Sequence, residues 1–415
     1  MTRVSSLPRA RFCPPSADKT HTCRLSGVFG HAQVAAENRF DLLRGVGAAN
    51  STRLLARCGP YWGAHGGFFL EELERLPIPL LQWYHENARV LPWRSDPTPY
   101  HVLVSEVMLQ QTRVAAVLDY YRRFLEVLPT VADLAAVEED RLLKLWQGLG
   151  YYNRARNLQK AARQVMADYG GDFPQTYEEL RKLSGVGEYT AGAIASIAFG
   201  EPVPAVDGNV LRVVSRLTGD AGDITRPDTK RRMGAALRAV IPLQAPGDFN
   251  QAMMDLGAMV CLPNGAPLCE KCPAGDFCRA RREERTGELP VKAPKKARRV
   301  EERVVFLVFR QGKVALRRRG PKGLLAGLWE YPNEPAPAED ALAVWGIRPL
   351  GLEEAGVGKH IFTHIEWRMR ALAVEAAGAE LPSGWVWAGR GDLLGSYAVP
   401  NAFQSFQGAV EARVR

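Results

Sequence analysis

The sequence lacks any run of about 18 uncharged apolar residues, so we expect no transmembrane helix. It lacks the apolar segment near the N-terminus that marks a secretory signal peptide, and it shows no repeat of helical-array length. Its seven cysteines are odd in number, which does not favour a disulfide framework. What is present is ordinary globular composition, 46% hydrophobic and 24% charged over 415 residues. This composition excludes fibrous and wholly disordered proteins, and the length allows roughly two to three domains.

The positive charge of the chain is concentrated at its N-terminus. Of the net +9, residues 1–65 contribute nine basic and three acidic side chains, so the remaining residues carry only a small excess. Whole-chain charge is therefore weak evidence for an anionic partner. Residues 1–70 lack helical or strand periodicity. We interpret them as a disordered extension, or as translation from a start site upstream of the true one, ahead of a mitochondrial transit peptide. This interpretation favours the cytoplasm of a prokaryote, associated with the nucleoid, over a mitochondrial or nuclear location.

Two kinds of hydrophobic periodicity divide the rest of the chain. Helical spacing, punctuated by glycine and proline, runs from about Leu73 to Cys261 and predicts an all-α half. After Arg303 the period becomes two, and residues 304–309 and 314–318 read as a hairpin in an α+β half. The connecting residues 279–299 contain nine basic and three acidic side chains. A solvated linker is favoured there over a segment that follows DNA phosphates.

Four cysteines follow the helical half in the spacing Cys261-x7-Cys269-x2-Cys272-x5-Cys278. Four soft thiolates this close in sequence suit a zinc ion or a [4Fe–4S] cluster, and the spacing does not choose between them. We expect the metal centre to stabilise a loop without taking part in a reaction.

A glycine-rich turn separates two helical segments at Gly185-Val186-Gly187. Backbone N–H groups at the start of the second helix would form an anion site suited to a phosphate. The alternative is a tight helix–helix turn with no ligand.

Two carboxylates form the candidate catalytic pair. Glu106 lies among apolar residues on a largely buried helix, where a lone carboxylate is costly unless it is paired or used. Asp207 precedes an apolar helix, either as its N-cap or as a carboxylate held ionised there. A protonated acid in an apolar pocket and an ionised one in a polar pocket are the division of roles that breaks a glycosidic bond.

These features occur within an ordered set of motifs. The motifs are LPWR at 91–94, SEVMLQQT at 105–112, GLGYY at 148–152, GVGEYTAGAI at 185–194, VDGNVLRV at 206–213, FNQAMMDLGAMVC at 249–261 and the four cysteines. In this order the sequence resembles adenine DNA glycosylases of the MutY type, from about residue 73 to 406. The resemblance implies an all-α helix–hairpin–helix core with an iron–sulfur loop and an α+β Nudix-like domain. The implied limits are a six-helix barrel at about 99–198, a cluster subdomain at 73–98 and 199–280, a linker at 281–302, and the Nudix-like domain at 303–410.

The resemblance also implies a reaction and its residues. It implies a [4Fe–4S] cluster and removal of adenine mispaired with 8-oxoguanine or guanine in double-stranded DNA, by a monomer. Glu106 would protonate adenine at N7, and Asp207 would stabilise the sugar cation or bond to it transiently, supported by Tyr189 and Asn209. The flipped adenine would lie near Trp93, Arg94 and Gln251, while Gln111 and Tyr151 would wedge into the opened stack.

Two further features bear on the subclass. Tyr189 stands where the related endonuclease III type carries a lysine that cuts the strand, and a tyrosine cannot form an imine. This predicts base removal without strand cleavage. The Nudix-like domain, with Thr363 and His364 in place of the family's Ser-His pair, is expected to bind 8-oxoguanine. It lacks the acidic REx2EExG metal box, so no pyrophosphatase activity is expected.

The sequence departs from the family pattern at three places, and two alternative functions are to be considered. The first cysteine gap is seven residues where six is usual, Ser184 replaces the usual proline before the glycine turn, and Thr363 replaces serine. The alternatives are a glycosylase of different base choice, such as one for thymine opposite guanine, and a DNA-binding module without activity. Gln251 and the Nudix-like domain disfavour the first, and the pair Glu106 and Asp207 disfavours the second.

Overall fold

The computed structural model describes residues 66–294 and 297–415. The predicted N-terminal extension lies outside the described residues up to residue 65. Its last five positions, 66–70, instead begin the first helix. None of the helices in the described ranges is both long and apolar enough to cross a membrane.

Helices make up the described chain as far as residue 282. They are α1 (Gly66–Glu74), α2 (Pro77–Asn87), α3 (Pro92–Ser95), α4 (Pro99–Leu109), α5 (Val114–Val127), α6 (Val131–Ala136), α7 (Glu139–Leu145), α8 (Asn153–Asp168), α9 (Tyr177–Leu180), α10 (Glu188–Phe199), α11 (Gly208–Thr218), α12 (Pro227–Val240), α13 (Pro246–Met259) and α14 (Arg279–Arg282). Several begin with a proline, whose missing N–H costs nothing in the first helical turn. Helix α4, which carries Glu106, packs with α5, α8 and α10 in one hydrophobic core, in which the rings of Phe124 and Trp146 meet edge to face with centroids 6.0 Å apart.

The C-terminal part is built on a seven-stranded mixed sheet. Its elements are β1 (Arg299–Arg310), β2 (Lys313–Arg318), β3 (Trp329–Glu330), β4 (Asn333–Pro335), α15 (Ala341–Val344), β5 (Pro349–Ile361), β6 (Ile365–Ala376), β7 (Trp385–Ala388), α16 (Arg390–Gly395) and α17 (Gln407–Glu411). The strand order is β3-β2-β1-β6-β5, with β4 paired to β1 and β7 to β2. Strands β1 and β6 are parallel, and β5 and β6 form an antiparallel hairpin. Each face of the sheet has its own core.

The structure differs from the sequence-based expectations at three places in this part. Strand β5 was not predicted, because its residues are largely exposed and do not alternate between apolar and polar. Strand β1 begins at Arg299, inside the predicted linker 281–302, because Arg299 already pairs with Ile365 of β6. The folded region continues past the predicted limit of 410, since Val414 is buried and the Arg415 N–H bonds to the Gly312 carbonyl at 2.9 Å.

Polar contacts join the two parts of the described chain. The Lys144 ammonium, near the end of α7, donates to the carbonyls of Leu393 at 2.6 Å and Tyr397 at 3.2 Å. Gln147 donates to the Val399 carbonyl at 2.8 Å. The sheet is thereby held against the loop that follows α7, where Tyr151 lies.

Candidate active site

A cavity of about 750 Å³ lies between α4, α10, α11 and α13 and contains both predicted acids. Each helix contributes one or two of the predicted side chains. These are Glu106 from α4, Tyr189 from α10, Asp207 and Asn209 at the start of α11, and Gln251 from α13, with Trp93, Arg94 and Gln111 on the remaining wall. Residues separated by more than 100 positions in sequence therefore face one cavity.

Glu106 is buried within this cavity wall. Thr98 is the N-cap of helix α4, and its side-chain oxygen accepts a hydrogen bond from the His101 N–H at 3.2 Å. The helix residues on either side of Glu106 are buried. The carboxyl is 5% exposed, and its Oε2 accepts a hydrogen bond from the Tyr189 hydroxyl. Burial raises the pKa of Glu106 to about 7, while the Tyr189 hydrogen bond lowers it and the nearby charge of Asp207 raises it further. A large fraction of Glu106 is therefore protonated near neutral pH.

Asp207 is both the N-cap of α11 and a member of the cavity wall. Its Oδ1 accepts from the Val210 N–H at 2.7 Å, and its Oδ2 accepts from the Asn209 amide at 2.8 Å. The pKa of Asp207 is raised overall, because the effect of burial exceeds that of these hydrogen bonds and of the charge of Arg212, which lower it. The two readings of this residue are therefore compatible, since the capping bonds are also the bonds that favour the ionised carboxylate.

A buried ion pair fixes the position of Arg94 in the cavity wall where the flipped base is predicted to lie. Trp93 is buried, with its ring edge to face against Tyr121 at 5.2 Å. The Arg94 guanidinium bonds to both carboxylate oxygens of Asp255, and Arg89 adds a bond to the same carboxylate at 2.8 Å. Arg94 therefore lines the cavity with its charge already neutralised.

The sequence analysis missed Asp255 and Arg212. Asp255 lies four residues after Gln251 on α13 and is fully buried, so the criterion applied to Glu106, an acid within an apolar helix, would have found it. Arg212 donates to the Asn209 side chain at 3.0 Å and to the carbonyls of Gly257 and Cys261 at 2.7 and 2.8 Å. No sequence signal identifies Arg212, because two of its three partners are backbone carbonyls brought close only by folding.

Three other predicted residues border a second cavity. Tyr151, Thr363 and His364 lie around a space of about 560 Å³ between the loop after α7 and the tip of the β5–β6 hairpin. The Tyr151 hydroxyl is 3.3 Å from the Thr363 hydroxyl. The predicted adenine-side and 8-oxoguanine-side residues are thus divided between two spaces, with Gln111 at the first and Tyr151 at the second.

The predicted glycine turn lies between α9 and α10. Gly185 has a φ of +74°, and a Cβ there would meet the Asn157 Cβ at 2.5 Å, so a larger residue does not fit. Val186 is buried, whereas a Cβ on Gly187, the N-cap of α10, would meet nothing within 4 Å. Ser184 uses its backbone N–H to bond Gln164 at 3.0 Å, a bond that proline could not make. The exposed end of α10 is thus accessible to an anion.

The four cysteines lie in one region after α13. The pKa of Cys272 is raised to about 12, mainly by burial and then by the charges of the other three thiols, so all four are within electrostatic range. The Arg216 guanidinium lies 3.4 Å from the Cys261 sulfur. The longer first gap closes through a Leu268 N–H bond to the Val260 carbonyl at 2.9 Å. Within the described residues, no three His, Cys, Asp or Glu side chains are grouped as a single metal ion requires. Four neighbouring thiols suit a metal centre with soft ligands, and the Arg216 cation offsets part of the negative charge of the thiolates.

The fold and the site together define a helix–hairpin–helix DNA-repair protein with a Nudix-type domain. Residues 104–239 match the HhH-GPD superfamily of base excision DNA repair proteins, and residues 304–407 match the NUDIX domain. An adenine DNA glycosylase of Mus musculus is 38% identical, over 74% of this chain and 72% of that protein. One of Homo sapiens is 35% identical, over 79% of this chain and 73% of that protein. The chain belongs to the adenine DNA glycosylase family, whose members are DNA glycosylase hydrolases.

The sequence-based assignments of family and fold class are confirmed by these matches. Among solved structures, that of a thermostable thymine-DNA glycosylase is similar, with 28% identity, 51% of this chain and 98% of that chain covered, and a TM-score of 0.47.

Proposed function

We propose that this protein hydrolyses the N-glycosidic bond of adenine paired with 8-oxoguanine or guanine in double-stranded DNA, without cutting the strand. The observation that carries the proposal is the meeting of Glu106, Tyr189 and Asp207 at one cavity of about 750 Å³. A cavity of this size accepts a flipped nucleotide, which the reaction requires because the glycosidic bond is inaccessible within a duplex.

Glu106 acts as the general acid in this proposal. Its raised pKa, about 7, keeps a proton available near neutral pH. The proton passes to N7 of adenine, and the electron pair of the glycosidic bond leaves with the base. Asp207, held by Val210 and Asn209, stabilises the sugar cation or bonds to it transiently. Water then adds to the sugar carbon and loses a proton, which leaves an abasic site.

The absence of strand cleavage follows from the nucleophiles that the cavity offers. Among the described residues that line it, none is a lysine. Tyr189 points its hydroxyl at Glu106, and a phenol cannot form the imine that precedes strand cleavage.

The second cavity supports recognition of the opposite base. Its polar groups, the Tyr151 and Thr363 hydroxyls and His364, face an open space beside the catalytic half. A pyrophosphatase role for the Nudix-type domain is not proposed. Glu330, in strand β3 of this domain, is 1% exposed and forms ion pairs with Arg317 and Arg319. Because both oxygens of the Glu330 carboxylate are bonded to arginines, they are not free to bind a metal ion.

The remaining parts of the proposal concern binding. A [4Fe–4S] cluster would be held by the four cysteines, Cys261, Cys269, Cys272 and Cys278. It would cross-link the loop and take no part in the hydrolysis. The N–H groups at Gly185, Val186 and Gly187 would contact a DNA phosphate. The protein would act as a monomer.

A single-turnover assay on a duplex with one adenine opposite 8-oxoguanine tests the proposal. Strand breakage only after alkali treatment is the expected result, because alkali cleaves the abasic product. Breakage without alkali would contradict the monofunctional assignment. Tight binding without any abasic product would favour the non-enzymatic alternative, and parallel duplexes with thymine opposite guanine test the other base choice.

A further inference from the structure

One buried arginine lies between the two cavities. Arg154, in the first turn of α8, is 9% exposed and bonds with no carboxylate among the described residues. Its guanidinium instead donates to five backbone carbonyls and approaches the Thr112 hydroxyl at 3.5 Å. The carbonyls belong to Val107 (2.9 Å), Met108 (3.0 Å), Gln110 (2.6 Å), Leu149 (3.0 Å) and Gly150 (3.1 Å).

These carbonyls come from two separate segments. Val107 and Met108 lie in the last turn of α4, where carbonyls lack an intrahelical partner and carry the negative end of the helix dipole. Leu149 and Gly150 lie in the loop after α7. Arg154 therefore caps the helix that carries Glu106 and, with the same guanidinium, ties the loop beside the second cavity to it.

Each tied segment holds a residue in an unfavourable backbone conformation. Gln111 has a φ of +59° and Tyr151 a φ of +47°, a region that costs a non-glycine residue free energy unless its surroundings impose it. Gln111 follows directly after Gln110, and Tyr151 follows directly after Gly150, so each adjoins a carbonyl that Arg154 binds. The Arg154 guanidinium also lies over the rings of Trp146 and Tyr151, at 5.5 and 5.6 Å.

We propose that Arg154 is a positioning residue that holds Gln111 and Tyr151 at a fixed separation, so that the identity of the base in the second cavity affects opening of its partner into the first. The inference rests on the proposed function in one respect, the assignment of the two cavities to the two bases of one pair. Arg154 also borders the second cavity, but both terminal nitrogens of its guanidinium are bonded to the backbone carbonyls of the two segments. Its planar fork reaches both segments, whereas the single ammonium of a lysine cannot bond to both in the same way.

The test uses Arg154→Lys and Arg154→Met beside a matched control. Arg163 lies on the same helix and donates to one backbone carbonyl, that of Ala135 at 2.9 Å, but it is exposed and touches neither loop. Release of adenine is compared opposite 8-oxoguanine and opposite guanine. We expect the ratio of the two rates to fall about tenfold in the Arg154 variants, in keeping with loss of hydrogen bonds to a charged group, and to stay unchanged in Arg163→Lys and Arg163→Met. A merely structural defect would lower both rates together and leave their ratio unchanged.

A double-mutant cycle keeps the test valid if Arg154→Met does not fold. In a Gln111→Ala/Tyr151→Ala background, Arg154→Lys should have no further effect on the ratio, because the residues it positions are gone. An unchanged ratio in Arg154→Lys, or effects that simply add in the cycle, would overturn the proposal.

A second readout separates this inference from the proposed function. In a Glu106→Gln background, base opening is followed by the fluorescence of 2-aminopurine placed opposite 8-oxoguanine. If the protein with Glu106 intact releases no adenine, while fluorescence in the Glu106→Gln background still depends on Arg154, the proposed reaction is refuted and the positioning role is supported. Fluorescence that is equal in the Arg154 and Arg163 variants would count against the positioning role even if adenine is released.

Discussion

The Asp255 carboxylate accepts hydrogen bonds from both terminal nitrogens of the Arg94 guanidinium, at 2.8 and 2.9 Å, and Arg94 in turn lines the cavity that contains Glu106. Asp255 is fully buried and also binds Arg89. The hydrogen bonds to Arg94 and Arg89 lower the pKa of Asp255 against the effect of burial, which raises it. Two buried carboxyl groups near this cavity thus have pKa values shifted in opposite directions, since the pKa of Asp255 is lowered and that of Glu106 in the cavity wall is raised.

Asp255→Asn should destabilise the protein strongly. The change leaves two arginines without their counter-charge, and breaking one side of a buried pair costs about 3 kcal/mol or more. Urea unfolding of the variant measures this loss. Asp248→Asn on the same helix is the control, because its contact with His85, at 3.5 Å, is partly exposed and should be worth less than about 1 kcal/mol. Equal effects of the two changes would contradict the structural role of Asp255.

Glu106→Gln should abolish base release and yet stabilise the protein at alkaline pH. The folded-state pKa of Glu106, about 7, lies above the usual glutamate value of 4.5, so the native state binds its proton more tightly than the unfolded state. The resulting stability is present at low pH and is lost as the pH rises through about 7. Glutamine removes this loss, by up to about 3 kcal/mol at pH 8.

Thermal unfolding at pH 5 and pH 8 measures the effect of Glu106→Gln on stability. The variant should be more stable than the parent at pH 8 and show a smaller difference at pH 5. Glu126→Gln, at an exposed position on α5, is the control and should change neither stability nor activity. Retention of base release above roughly one hundredth of the parent rate would refute the assignment of Glu106 as the acid.

Tyr189→Phe should shift the pH dependence of base release to higher pH. The Tyr189 hydroxyl stabilises the ionised form of Glu106 and so lowers its pKa. Removing the hydroxyl raises that pKa, and the rate should then decline at a higher pH than in the parent. Single-turnover rates between pH 5 and pH 9 test this, and a midpoint that moves to lower pH would contradict the proposed hydrogen bond.

Lys144→Met should loosen the contact between the two parts of the described chain. Burial lowers the pKa of Lys144, and its ammonium bonds to the carbonyls of Leu393 and Tyr397. Without it, those carbonyls lose their charged donor, which costs on the order of 1–3 kcal/mol. Limited proteolysis within residues 283–298 should become faster. Lys160→Met, at an exposed position of α8, should leave the cleavage rate unchanged.

Metal analysis should find four irons for each chain and no stoichiometric zinc. Four thiols within electrostatic range, beside Arg216, are the ligand set proposed for the cluster. Cys272→Ser should reduce the iron content and destabilise the loop after α13, because one ligand of the cluster is lost. One zinc for each chain would identify the centre as a single ion instead.

Local features of the sequence were sufficient to identify most of the molecule. The hydrophobic periodicity and the glycine and proline residues between segments predict the helices around Glu106 and Tyr189. The order of the motifs identifies the family and both types of fold. The cysteine spacing indicates a metal centre without naming it. These predictions succeed because each depends on residues close together in the chain, where periodicity, caps and ligand spacing are set directly by the order of side chains.

Only the tertiary structure decided which side chains meet. It showed that Asp255 pairs with Arg94 and that Arg154 donates hydrogen bonds to carbonyls of two separate segments. It also placed Gln111 at one cavity and Tyr151 at the other. It also revealed β5, which is a strand because it pairs with β6 rather than because its own residues alternate. Such contacts join groups distant in sequence, and many use backbone carbonyls that every residue possesses. No pattern of side chains encodes them, so they become visible only when folding brings the segments together.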